Sequence, residues 1–257
     1  MSTLLNVKNM SKRFGGLHAI KDMSFSVEEG EVVGLIGPNG AGKTTCFNVV
    51  SGTSPASGGS ITFEGENLIG KRTCDIVQMG LARTYQATSV FPQSTVLENV
   101  VRGAFVRSKD SFLGSLMGTA ASQRAQAETK AECLEILKQV GIDHVHGELA
   151  DSLPYGYQRR LGVAVALASK PKLIMMDEPA AGLNPEESMD MGKLIRGIHE
   201  SGQASVLIVE HDMRLVMGIC DRIIVLDHGE LIAAGTPEEI RDNPKVIEAY
   251  LGTEAVS

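Results

Sequence analysis

The chain of 257 residues carries 24 Lys and Arg against 31 Asp and Glu, a net charge of −7, with 43% hydrophobic residues. That balance excludes a disordered polypeptide, and a pI near 5.4 argues against a protein that coats nucleic acid, since phosphate binding needs net positive surface. No apolar run reaches 18 residues and no signal-peptide core follows the amino terminus, so a soluble, cytosolic protein is expected.

Three short, alternating segments, 4–8, 23–27 and 60–63, predict an antiparallel edge sheet. Continuous apolar runs at 32–36, 81–85, 173–177, 205–210 and 222–226 predict parallel strands buried on both faces, most followed by a helix. Between 92 and 168 strand runs give way to helical spacing, with Leu134, Leu137 and Val140 on one face of a helix over 131–140. Residues 108–121, rich in Ser, Gly and Ala, predict a loop or a frayed helix. The expectation is one α/β domain, its core formed by 1–91 and 169–257, with a helical subdomain inserted at about 92–168. Cys46, Cys74, Cys133 and Cys220 form no C-x-x-C pair, which fits reduced and mostly buried thiols rather than a zinc site.

Directly after the run 32–36 stands Gly37-Pro38-Asn39-Gly40-Ala41-Gly42-Lys43-Thr44, the pattern G-x-x-x-x-G-K-[ST], followed by Thr45 and a helical stretch 46–50. Glycines let backbone N–H groups converge on phosphate oxygens, and a helix N-terminus adds partial positive charge. Lys43 supplies a cation to the β- and γ-phosphates, and the Thr44 hydroxyl can ligate Mg²⁺. The run 173–177 ends in Asp177, placed to hold Mg²⁺, and Glu178, placed to deprotonate an attacking water. Cys46 sits at the start of the phosphate-loop helix, where the dipole lowers a thiol pKa. If it faces the loop, nucleotide should shield it from alkylation; if it packs against the sheet, it is inert.

The constellation resembles the ATP-binding subunits of ABC transporters across nearly the whole chain. Besides the phosphate loop and Asp177-Glu178, the sequence has Gln86 in Arg83-Thr84-Tyr85-Gln86 and Leu153-Pro154-Tyr155-Gly156-Tyr157-Gln158-Arg159-Arg160 in the signature position. Ala181-Gly182-Leu183-Asn184 stands in the D-loop position, His211 follows the run 205–210, and Phe14 takes the place of the adenine-stacking aromatic. The resemblance narrows to the larger ATPase subunit of branched-chain amino acid importers. The modified signature, an insertion at about 103–127, Val209-Glu210-His211-Asp212-Met213 and the close from Gly235 to Gly252 carry it.

The resemblance implies a P-loop (RecA-like), mostly parallel α/β core with an antiparallel β edge subdomain and an inserted helical subdomain. It implies an ATP-hydrolysing motor for import of branched-chain amino acids or similar small organic solutes. ATP and Mg²⁺ are the implied cofactors. Glu178, His211 and Gln86 would be catalytic; Phe14, residues 37–45 and Lys43 among them would bind nucleotide. Thr44, Gln86 and Asp177 would hold the metal, while Tyr155, Gly156 and Tyr157 would act in trans on the site of a second ATPase subunit. The implied partners are transmembrane permease subunits, that second ATPase, and indirectly a periplasmic solute-binding protein, with no nucleic acid. The implied place is the cytoplasmic face of the inner membrane. A non-transport ABC ATPase and a lipopolysaccharide-export ATPase are the alternatives. Pro154 stands where the wider family has Ser, and Tyr155 where it has Gly. That departure removes a hydroxyl from γ-phosphate and leads to the expectation of a heterodimer with unequal sites, a homodimer being the alternative.

Overall fold

A computed structural model of the chain describes residues 2–84, 90–107 and 120–254. The chain divides into two compact units, Met1–Arg83 with Lys172–Ser257, and Thr84–Pro171.

The first unit contains two sheets. In the larger, β3 (Val32–Ile36) pairs in parallel with β8 (Ser205–Val209) and β9 (Arg222–Asp227), and β8 pairs in parallel with β7 (Leu173–Asp177). An antiparallel β10 (Glu230–Gly235) lies at one edge, and β6 (Leu81–Thr84) at the other. Every residue of β3, β7 and β8 is buried, which is why these strands read as unbroken apolar runs. The smaller sheet is antiparallel, in the order β2 (Leu17–Glu28), β1 (Thr3–Phe14), β4 (Gly58–Phe63), β5 (Glu66–Asn67). Phe47 and Val50 of α1 (Lys43–Val50) share one core with Leu5, Met23 and Phe63 of the smaller sheet and Leu35, Met175 and Leu207 of the larger.

β1 and β2 run for twelve residues each, well beyond the expected 4–8 and 23–27. Their pairing contains register shifts, one spanning Val7 to Met10 around Asn9 at φ +47°. Each such irregularity resets which side chains face the core, so the alternation that marks a strand fades in the sequence. β5 and β10 were not expected either; β5 is only two polar residues long.

In the second unit, α3 (Val96–Ala104) packs with α4 (Ala120–Gln139) and α5 (Tyr155–Ala168) around Val96, Val100, Leu137, Leu161 and Ala164. The helix α2 (Thr73–Gln78) belongs to the first unit. A Cβ at Gly103 would lie 2.4 Å from the Val165 carbonyl oxygen, so α3 approaches α5 there only because that side chain is absent. The buried Asn99 side chain accepts from Phe91 N–H at 2.6 Å and donates to Phe91 O and Thr95 O, tying down the entry to α3. On α4 the inward face holds Cys133 and Leu137, and Val140 follows the helix end, all buried. Leu134 is only half-buried, so the face is turned from the expected one toward Cys133. The expectation for 108–121 falls largely outside the described residues.

The helices α6 (Pro185–Glu200), α7 (Met213–Ile219), α8 (Pro237–Arg241) and α9 (Pro244–Glu254) complete the first unit. α6 starts on a capping box. Asn184 Oδ1 accepts from Glu186 and Glu187 N–H at 3.0 and 2.9 Å, and the Glu187 carboxylate accepts from Asn184 N–H. Asn184→Ala is expected to lower stability by about 1 kcal/mol. Urea denaturation followed by circular dichroism measures it, and an unchanged midpoint would refute the contribution of the cap.

Candidate active site

The phosphate loop leaves β3 at Ile36 and enters α1 at Lys43. Gly37 sits at φ +151° with the Leu226 carbonyl oxygen 2.1 Å from where a Cβ would stand. Gly42, at φ +104°, caps α1 without a side chain and lies against Ala19 O. Both positions demand glycine for conformation and for room. The first-turn N–H groups of α1 have no intrahelical acceptors and form an anion-attracting end. Lys43 is buried, its Nζ donating to Gly37 O at 2.7 Å and Pro38 O at 2.9 Å. Burial pushes its pKa down, while the nearby Glu178 and Asp177 carboxylates push it up; the net shift is downward. Thr44 is exposed and Thr45 half-buried beside it.

Asp177, the last residue of β7, is buried. Its Oδ2 accepts from Arg83 Nη2 at 2.7 Å, whereas its Oδ1 has no hydrogen-bond partner among the described residues. An orphaned, buried carboxylate oxygen is costly unless something electropositive meets it. A hard divalent cation fits that oxygen. Glu178 follows at φ +49°, a conformation few L-residues adopt, while its N–H donates to Val209 O at 2.9 Å. This turn aims the carboxylate toward His211, whose Nε2 lies 2.6 Å from Glu178 Oε1.

Phe14 ends β1 and is 53% exposed. Lys12 Nζ lies 4.7 Å from its ring centroid, held there by Pro55 O at 2.7 Å, so a cation backs the ring. Phe14, residues 39–45, Glu178 and His211 line one cavity of about 430 Å³, within the ordinary size range of ligand sites. Leu17, His18, Ala19 and His228 line it as well and were not expected. They reach it from the β1–β2 hairpin and the β9–β10 turn, and nothing in their local sequence marks them. Gly37, Pro38 and Asp177 do not line that cavity. Gln86 lies outside the described residues.

Two further residues went unmarked. Arg83 joins Asp177 to α1, its Nη1 donating to Asn48 Oδ1 at 2.8 Å and Ser51 Oγ at 3.0 Å. Glu210 is buried and accepts from Ala180 N–H at 2.7 Å and His211 N–H at 3.1 Å, which latches the segment after Glu178 to the segment carrying His211. Burial pushes the Glu210 carboxyl above its usual range. Their polar side chains flank motif residues in the sequence, and only the third dimension supplies their partners.

In the second unit Pro154 is the N-cap of α5 and offers no side-chain acceptor to the first turn. Tyr155 is exposed and its hydroxyl meets the Arg159 guanidinium, which also stacks over its ring. Gly156 lies in the first turn, and the Tyr157 ring packs edge-on against His144 at 5.5 Å between centroids.

The ABC transporter family model matches residues 20–181. The chain belongs to the ABC transporter ATP-binding family. A second model, of branched-chain amino acid ATP-binding cassette transporters, matches residues 230–256. The high-affinity branched-chain amino acid transport ATP-binding protein LivG of Salmonella typhimurium is 43% identical over 97% of this chain and 98% of its own. BraF of Pseudomonas aeruginosa, with the same description, is 42% identical over the same shares. The lipopolysaccharide export ATP-binding protein LptB of Escherichia coli is 34% identical, again over 97% and 98%. A crystal structure of the ADP conformation of an ABC transporter cassette matches with TM-score 0.85 and 31% identity, over 98% of this chain and all of that one. The α/β fold with a largely parallel core is thus that of ABC ATPase cassettes, a family of ATPases coupled to transport. No described helix is long and apolar enough to cross a membrane.

Within this ABC cassette Cys46 is not the reactive thiol its position at the head of α1 allowed. It points into the core, fully buried, and burial pushes its thiol up to about 12. Desolvation of the thiolate outweighs the helix dipole. Cys133 and Cys220 are also buried, and Cys74 is exposed. Iodoacetamide should therefore label Cys74 alone in the native chain, at a rate indifferent to MgATP. Mass spectrometry of tryptic peptides reads this, and labelling of Cys46 that nucleotide suppresses would reverse the assignment.

Proposed function

We propose that the chain is the ATP-hydrolysing motor subunit of an importer of branched-chain amino acids or similar small organic solutes, acting at the cytoplasmic face of the inner membrane. The observation that carries the hydrolytic part is the 2.6 Å contact between Glu178 and His211 over a cavity that the phosphate loop also lines. The import part is supported by the branched-chain model over residues 230–256 and by the described relatives, LivG and BraF at 43% and 42% identity against 34% for LptB.

In this reading Phe14 stacks on adenine with the face that Lys12 leaves uncovered. The amides of residues 39–45 and the Lys43 cation hold the phosphates. ATP would draw Lys43 Nζ from its two carbonyl partners, exchanging neutral acceptors for charged ones. Glu178 accepts the proton of the attacking water, and His211, holding Oε1, fixes which carboxylate oxygen faces it. Thr44, Asp177 and Gln86 would hold Mg²⁺, which supplies positive charge to the phosphate oxygens. Tyr155, Gly156 and Tyr157 would complete the site of a partner ATPase, with permease subunits turning closure into transport and a periplasmic binding protein delivering solute. Because Pro154 brings no hydroxyl, the partner's site would be weaker than the one formed by Lys43, Asp177 and Glu178, and the pair is a heterodimer with unequal sites.

Glu178→Gln should bind MgATP yet slow hydrolysis by about 100-fold or more, since the base alone is lost. Single-turnover hydrolysis checks it, and near-normal turnover would remove Glu178 from that role. Lys43→Ala should instead weaken ATP binding by about tenfold or more through loss of a charged hydrogen bond. Full-strength binding by equilibrium dialysis would contradict the cradle. In the assembled transporter, blocking the catalytic Glu here should cost more ATPase activity than blocking it in the partner. Equal losses, or full activity from a homodimer of this chain, would defeat the unequal sites.

A further inference from the structure

Among the described residues the Arg83–Asp177 pair is the most buried ion pair of the first unit, with side chains 5% and 4% exposed. Isolated, such a pair is a poor source of stability, because desolvating two charges offsets most of their attraction. This one is built as a fork. Nη2 binds Asp177 Oδ2, Nη1 binds Asn48 and Ser51 of the α1 region, and the guanidinium carbon lies 5.6 Å from the Phe47 ring centroid. One carboxylate oxygen is thereby held by the fork and the other, Oδ1, is left with no partner among the described residues. The fork leaves the carboxylate little freedom to rotate, because its anchor on the far side is a helix turn and not solvent.

We propose that Arg83 is a positioning residue for metal: it fixes the Asp177 carboxylate so that Oδ1 is presented to Mg²⁺, and locks that carboxylate to the helix that follows the phosphate loop. The inference rests on the reading of Asp177 as a metal-holding residue. Arg83 itself touches neither nucleotide nor metal. Two effects oppose each other in such a site. The guanidinium charge repels a divalent cation, whereas its fixed geometry organises the ligand. Lysine separates them, since it keeps the charge but cannot reach Asp177, Asn48 and Ser51 in one plane. Residues that orient a metal ligand from behind change metal affinity by about 10–100-fold when replaced.

The test uses the full chain and a non-hydrolysable, fluorescent ATP analogue, with Mg²⁺ titrated and binding, not turnover, as the readout. Arg83→Lys should raise the Mg²⁺ concentration for half-maximal enhancement of binding by about tenfold, leaving binding in EDTA within about twofold of the parent. A folded Arg83→Lys protein with the parent's Mg²⁺ dependence would overturn the proposal, whatever its melting temperature. Should that variant not fold, Asn48→Ala decides: it removes one anchor of the fork and leaves Arg83 and Asp177 in place. A smaller shift in the same direction supports positioning, and an unshifted titration overturns it. Asp177→Asn is the control on the underlying reading. If its Mg²⁺ dependence is unchanged, the metal role of Asp177 fails; if it shifts while the Arg83 and Asn48 variants do not, only the positioning role fails.

Discussion

A buried lysine, Lys43, and a buried aspartate, Asp177, stand near the ends of parallel strands within electrostatic reach of each other, and the loops of the first unit are arranged around them. Among the described residues, Lys43 Nζ donates to the carbonyls of Gly37 and Pro38, and Asp177 has Arg83 on one of its two oxygens and no hydrogen-bond partner on the other. Buried charges so sparsely compensated cost stability in an ordinary core. They are understandable in a site of a nucleotide-binding family, where a charged ligand supplies the missing partners. The glycines at 37 and 42, the open first turn of α1 and the left-handed turn at Glu178 are what allow these groups to converge.

The parallel sheet makes this convergence inexpensive in sequence. β3, β7 and β8 are in register and fully buried, so their C-terminal ends emerge at the same level. Whatever follows each strand is delivered to one place: the phosphate loop after β3, Glu178 after β7, Glu210 and His211 after β8. The Glu210 carboxylate binds two of these segments through backbone N–H groups, which couples the geometry of Glu178 to that of His211. An acid replaced there would disturb both without touching either side chain.

The second unit works by different rules. Its order comes from helix caps and local closures: the Thr95–Glu98 capping box, the Asn99 hydrogen bonds and the close approach at Gly103. α5 begins on Pro154 with no side-chain cap. Tyr155 and Arg159 cover each other on the surface of that first turn, a pairing one helical turn apart that the sequence spacing permits.

By itself the sequence determined which strands are buried, where the phosphate loop falls and which carboxylates end β7. These are local properties: apolar runs, glycine spacing and a charge at a strand end are written in consecutive residues. It did not disclose the full length of β1 and β2, because register shifts at Asn9 and beyond break the alternation. Nor did it disclose which way Cys46 points, since a helix places neighbours 100° apart and only packing against the sheet chooses the face. Leu17 and His18 enter the cavity from the start of β2 and His228 from the β9–β10 turn, far apart in sequence, and Arg83 finds Asp177 across 94 positions. The tertiary structure alone decided these, because a side chain's partner across a sheet depends on strand order, and strand order is not encoded in any local window.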